Sequence, residues 1–95
     1  PWRNDVVLLR DGPQARVTPI AQICAIEAEE NYSRVHTADG AVSLVRRSLK
    51  SWAECLPESH FLQVHRAVIV NLSRITAYRR DASGGVELEV PPFPQ

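Results

Sequence analysis

The chain of 95 residues contains no methionine, one lysine against ten arginines, four glycines and two cysteines. Cys24 and Cys55 are too few for a disulfide-stapled secreted scaffold, and their separation fits no metal motif, so they read as incidental thiols of a reducing cytosol. No apolar run approaches the ~18–20 residues of a membrane-spanning helix, and no basic-then-apolar signal segment opens the chain. A glycine-rich phosphate loop, a nucleophile elbow and an HExxH helix are all missing. The three histidines, His36, His60 and His65, are scattered, and His60 and His65 do not stand at the i, i+4 spacing of a helical metal site. Glu27, Glu29 and Glu30 read as a solvated turn rather than a carboxylate pair. These absences argue against an enzyme, a metal and a cofactor.

What remains is one modest domain, residues 1–95, with an ordinary 44% hydrophobic content. Its opening at Pro1-Trp2, without methionine, reads as an excised part of something longer. Formal net charge is zero, yet the charge is segregated. From residue 31 to residue 80, eight basic groups (Arg34, Arg46, Arg47, Lys50, Arg66, Arg74, Arg79, Arg80) face only Asp39, Glu54 and Glu58. The remainder of the chain is acidic by the same margin. Such a division suits a polyanion-binding surface on an acidic body. Arginine also offers a planar fork for phosphate and for the O6/N7 edge of guanine, although a GC-rich genome explains an arginine bias equally well.

The hydrophobic pattern predicts a mostly β chain of several small antiparallel sheets with one short α-helix. Residues 6–9 form an apolar run ended by Asp11-Gly12-Pro13, and residues 15–18 return as a hairpin partner. Residues 23–28 read as a strand, 29–31 as a turn, and 32–37 as a strand in which Tyr32, Arg34 and His36 alternate with Ser33, Val35 and Thr37. Ala38-Asp39-Gly40 turns the chain into a strand over 41–45. Leu49, Trp52, Ala53 and Leu56 fall at i, i+3, i+4 and i+7, one helical stripe, with Ser48 placed as N-cap and Pro57 as stop. Trp52 is expected in the core. Residues 61–71 are too β-branched for a helix and carry Arg66 in their middle, so they read as two strand pieces bent near His65-Arg66. Residues 72–75 suit one helical turn, and 76–80 and 86–90 a last hairpin. The closing prolines, 91–95, cannot extend a ladder.

Binding groups cluster at three places. Asn31, Tyr32, Ser33 and Arg34 place an amide, a phenol, a hydroxyl and a guanidinium within four positions, groups that contact phosphates and base edges when a loop presents them. Arg46, Arg47 and Lys50 lead into the helix, placed for backbone phosphates. Arg66, flanked by Val64, Ala67 and Val68, is costly to bury unpaired and should point outward at the bend. The alternatives are that Arg34 and Arg66 pair with surface carboxylates and that His65 is a satisfied, half-buried histidine.

Residues 26–36, Ile-Glu-Ala-Glu-Glu-Asn-Tyr-Ser-Arg-Val-His, resemble the IEAEGNYVRLH segment of the LytTR family, the DNA-binding output domain of LytR/AlgR-type transcription regulators. Residues 61–72, Phe-Leu-Gln-Val-His-Arg-Ala-Val-Ile-Val-Asn-Leu, resemble its FLRVHRSYIVNL signature, and residues 47–52 its RxSLKEL helix start. The resemblance covers nearly the whole chain in order. It implies a fold of several small antiparallel sheets in which loops, not a recognition helix, enter successive major grooves of a bent duplex. It implies contacts from Asn31, Tyr32, Ser33 and Arg34, with Ser33 facing bases and Arg34 holding phosphate. Arg66, after the signature His65, becomes the guanine reader; Arg46, Arg47 and Lys50 become backbone contacts.

The chain departs from the family pattern at its end, where a PVSRR-like segment is replaced by Val90-Pro91-Pro92-Phe93-Pro94-Gln95, without the third-contact arginine. Weaker affinity follows, and with it binding to double-stranded promoter DNA as a dimer or on tandem repeats. The expected setting is the cytoplasmic C-terminal part of a longer regulator, touching a membrane only through an upstream domain. Two alternatives stand beside this reading. One is a protein-interaction module without DNA binding. The other is a small β-barrel for a nucleotide second messenger, because Arg79-Arg80 and the following residues 81–85 faintly resemble the PilZ arginines and DxSxxG motif.

Overall fold

The structure is a computed structural model and describes residues 6–11 and 13–91. Pro1-Trp2, Gly12 of the first turn and residues 92–95 lie outside that range. Three antiparallel sheets are formed. Strands β1 (Val6–Asp11) and β2 (Gln14–Pro19) make the first, and β8 (Ala77–Arg80) and β9 (Val86–Glu89) the last. Between them lies a five-stranded sheet of β3 (Ile23–Glu29), β4 (Tyr32–Thr37), β5 (Val42–Val45), β6 (Phe61–His65) and β7 (Val68–Asn71), in the order β5-β4-β3-β7-β6. One helix, α1 (Leu49–Cys55), and two 3₁₀ turns, Ile20–Gln22 and Leu72–Arg74, complete the described elements. The central sheet is open, with edges at β5 and β6. Among the described residues the closed barrel of the second-messenger alternative is not formed.

β3 is covered on both faces, which is why residues 23–26 form a continuous apolar run instead of alternating. Ile23 and Ile26, with Val35 of β4 and Ile69 of β7, pack against Leu49, Trp52 and Leu56 of the helix and against Leu9 of β1. On the other side Ala25 and Val70 meet Val90, with Leu88 of β9 beside them. A bulge between Ile23 and Ala25 lets consecutive residues serve both cores. Cys24 lies in this second core, and burial pushes its thiol pKa up.

The helix begins where its cap predicts. Ser48 is extended (φ −79°), and its hydroxyl accepts the Ser51 N–H at 3.1 Å. At seven residues the helix depends on its packed face, and Trp52 is fully buried there, as the apolar spacing requires. Ala53 of the same stripe is exposed, while Leu49, Trp52 and the C-cap residue Leu56 are buried in the core. The expected bend near His65-Arg66 is a full hairpin reversal: β6 pairs with β7 around a turn at Arg66-Ala67, and the register slips between Gln63 and His65. No helix of the described chain is long and apolar enough to cross a membrane.

Candidate nucleic-acid interface

Strand register decides which loops meet. β3 ends at Glu29, opposite Tyr32, so Glu30 and Asn31 form the tip of the first turn. Glu30 adopts a left-handed φ of 55°, the conformation a two-residue hairpin loop demands. β3 also pairs with β7, Glu27 opposite Val68, and the Ala28 N–H donates to the Ala67 carbonyl at 2.7 Å. The Arg66-Ala67 turn is thereby fastened beside the first. β5 runs back up along β4 with Val45 opposite Ser33, which delivers Arg46, Arg47 and the start of α1 to the same end. All three predicted contact regions share one end of one sheet. The two hairpin turns stand two strand spacings apart, about 10 Å, and the whole end spans about 19 Å.

The second turn is braced from both sides. The Gln63 side-chain amide donates to the Arg66 carbonyl at 3.3 Å, and the Ala67 N–H donates to His65 Nδ1 at 3.2 Å. With Nδ1 accepting, the ring proton of neutral His65 resides on Nε2, a spare donor on an exposed residue. His65 is thus exposed and tied to its own turn, not half-buried. Arg66 is exposed, and its guanidinium has no hydrogen-bond or ion-pair partner among the described residues. Arg46 and Lys50 are likewise exposed and unpaired among the described residues.

Other predicted contacts are placed differently. Ser33 is fully buried, and its hydroxyl donates to the Arg47 carbonyl. A base-facing role for Ser33 is therefore corrected: it joins the first turn to the helix start. The alternation already carried this signal, since Ser33 shares a strand face with Val35 of the core. Arg47 is half-buried. Its Nε donates to Ser51 Oγ and its terminal nitrogen to Cys55 Sγ, both at 2.9 Å, while the guanidinium lies 4.5 Å from the centre of the Trp52 ring. It occupies the residue before the N-cap and rests on the fourth helical residue, the position of a hydrophobic staple. Arg47 is consequently a brace for the helix and not a free phosphate contact. Arg34 forms a bidentate exposed pair with Glu29, at 2.7 and 3.1 Å. Asn31 and Tyr32 are exposed at the tip.

One carboxylate lies at the other end of the sheet, whereas Glu29 and Glu30 stand at the interface end itself. Asp39, in the β4–β5 turn, accepts from the Thr37 hydroxyl at 2.7 Å and from the Ala41 N–H at 3.0 Å, with Arg16 at 3.5 Å. The Thr37 hydroxyl first, then the Ala41 N–H, hold its pKa below the ordinary carboxylate value. Arg74, counted among the basic groups, donates to the Ala21 carbonyl at 3.0 Å and is structural. Sequence reasoning missed Gln63, whose amide braces the Arg66 turn and has no local sequence signature; the alternative that Arg34 pairs with a surface carboxylate is met by Glu29, while Arg66 has no such pair among the described residues. Among the described residues no group of three or more His, Cys, Asp or Glu is placed to hold a metal ion.

A sheet end presenting Arg46, Lys50 and Arg66 beside an exposed amide and phenol has the equipment of a binding domain for an anionic partner. Residues 14–91 match the family model of the LytTr DNA-binding domain, and the chain belongs to that family. It is similar to the CO-responsive transcriptional regulator RcoM of Rhodospirillum rubrum, 37% identical over 75 residues, covering 79% of this chain and 31% of that protein. It is also similar to an uncharacterised response regulatory protein of Vibrio cholerae, 29% identical over 76 residues, covering 77% of this chain and 29% of that protein. The chain thus spans about a third of the length of these relatives. The fold matches a solved LytTr DNA-binding domain from Bacillus cereus with a TM-score of 0.84 at 24% identity, over 93% of this chain and 80% of that one.

Proposed function

We propose that this domain binds double-stranded promoter DNA sequence-specifically and serves as the cytoplasmic output module of a longer transcription regulator, without catalytic activity. The observation that carries the reading is the pairing of β3 with both β4 and β7, which sets an unpaired Arg66 beside the Asn31-Tyr32 tip. Arg66 reads guanine through the bidentate O6/N7 contact. Asn31 and Tyr32 face neighbouring base edges or sugars, and His65 supplies its Nε2 proton to a phosphate or base acceptor. Arg46 and Lys50 neutralise phosphates. Arg34 joins them when the duplex phosphate displaces Glu29, whereas Ser33 and Arg47 hold the end together from inside.

The separation of the turns limits their reach. Ten ångströms is about three base-pair steps, while successive major grooves on one side of a duplex recur at about 34 Å. Both hairpin turns therefore engage a single stretch of a few base pairs. Binding to successive grooves falls to another part of the molecule or to a second copy.

The test is enrichment of sites from a random oligonucleotide pool, followed by binding of the selected duplex to wild type and Arg66→Ala. The substitution should cost roughly 1–3 kcal/mol of specific affinity and relax preference at one base pair. Equal weakening on every sequence would remove the base-reading role, and absence of any enriched site would favour the protein-interaction alternative.

A further inference from the structure

Glu27, Glu29 and Glu30 lead into the first turn, and the first two are already paired. Glu27 Oε1 lies 3.0 Å from Nε2 of the buried His36, and Glu29 holds Arg34 in its bidentate pair. Glu30 is exposed at the tip, and its carboxylate has no hydrogen-bond or ion-pair partner among the described residues. Its backbone sits at φ 55°, a region that glycine occupies without the crowding a Cβ brings. In the strand order this tip stands between the Arg46 edge and the Arg66 turn. An unpaired carboxylate is thus placed among the cations of the interface itself.

Phosphate cannot be its partner. Beside a polyanion a lone carboxylate lowers affinity, and it is compensated only where a hydrogen-bond donor meets it. In the major groove the donors are the amino groups N4 of cytosine and N6 of adenine, whereas guanine shows O6 and N7 and thymine O4, all acceptors. Adenine sets its N7 acceptor beside N6, while cytosine adds no acceptor of its own. The edge that suits a lone carboxylate best is that of cytosine.

We infer that Glu30 is a specificity-determining residue of this interface, accepting from the N4 amino group of one cytosine and refusing guanine and thymine at that position. The inference rests on the DNA-binding reading above. It joins attraction for one base to repulsion of the others, the combination by which close competitors are told apart. Because the two turns stand about 10 Å apart, the cytosine lies about three base-pair steps from the guanine read by Arg66.

The experiment selects sites from a random oligonucleotide pool with wild type, Glu30→Gln and Glu30→Gly. Each protein is then measured on the wild-type site and on the same site with that cytosine·guanine pair replaced by thymine·adenine. Wild type should return a cytosine at the stated spacing and bind the thymine duplex about tenfold more weakly. Glu30→Gln, whose amide both donates and accepts, should move the preferred base there to adenine and leave the Arg66 position unchanged. Glu30→Gly, which suits the backbone conformation, should bind the two duplexes within about twofold of each other. Such coupling of one side chain to one base pair is not produced by a loosened fold. Both variants should also bind unselected DNA more tightly, because a repelled charge is gone. A gain in affinity with no change of preferred base overturns the inference, since the carboxylate then only repels phosphates. So does equal discrimination against thymine by all three proteins, or the absence of a cytosine at that spacing in wild type. In each of these cases an enriched site that still depends on Arg66 leaves the DNA reading intact. Failure of wild type to enrich any site overturns both.

Discussion

In Ser33→Ala the hydroxyl that donates to the Arg47 carbonyl is lost from a fully buried position, and that carbonyl is left without this partner. An unmet hydrogen-bond group in the interior costs about 1–3 kcal/mol. For a domain of this length each kcal/mol moves the melting temperature by roughly 4–8 °C, so a fall of about 5–20 °C is expected by far-UV circular dichroism. Base preference in a pool selection should stay as in wild type, with affinity for all sequences lowered together by a few-fold, because the first turn is loosened and no reader is removed. Arg66→Ala should do the reverse: its guanidinium is exposed and unpaired among the described residues, so the melting temperature holds within about 2 °C while preference at one base pair relaxes. The reasoning is refuted if Ser33→Ala melts like wild type and yet changes which base is preferred; the serine would then be reading DNA.

Glu29→Gln releases Arg34 from an exposed pair whose stability contribution is below about 1 kcal/mol; DNA should bind more tightly with the salt slope near that of wild type, whereas Arg34→Ala should flatten the slope of log affinity against log salt by about 0.9, one phosphate fewer. An unchanged slope in Arg34→Ala would show that Arg34 meets no phosphate. Trp52→Ala empties the centre of the helix–sheet core and should cost about 3–5 kcal/mol in urea titration, whereas Trp52→Phe should retain most of it; a small loss in the alanine variant would mean the helix is not anchored there. For Asp39 the folded-state pKa lies below its ordinary 3.8, so its stabilisation is complete above that value and disappears as pH falls through the lower folded one. Asp39→Ala should therefore be less stable than wild type at pH 7 and converge with it near pH 2; a difference that persisted in acid would contradict the linkage.

The local grammar of the fold was legible. Ser48, the Leu49-Trp52-Leu56 spacing and Pro57 announce the helix, and Asp39-Gly40 a reversal; the polar interruption at His65-Arg66 marked the right place, but the sequence read there a bend where the chain reverses. Arg66 is exposed, as expected of an arginine amid valines, which has only one inexpensive direction, towards water. The failures have two causes. Ser33 looks like a surface polar group but finds its partner fourteen residues away, in the Arg47 carbonyl, while the Arg47 guanidinium folds back onto Ser51, Trp52 and Cys55 of the helix it precedes. Whether a guanidinium covers a tryptophan or a phosphate depends on where the helix docks, and the composition of residues 46–50 does not record that. The neighbourhood of the two turns was likewise invisible, because it is created by β3 pairing with β7, Glu27 opposite Val68 across more than forty residues of chain.

Both turns hang from the same strand, and the side chains at their tips belong to neither core. A protein that reads DNA with a helix must satisfy the duplex and its own interior with successive faces of one cylinder, so retargeting disturbs packing. Here the tips at positions 31 and 66 stand outside both cores, so on the proposed reading an address could be altered one base pair at a time while the β3 ladder stays as it is.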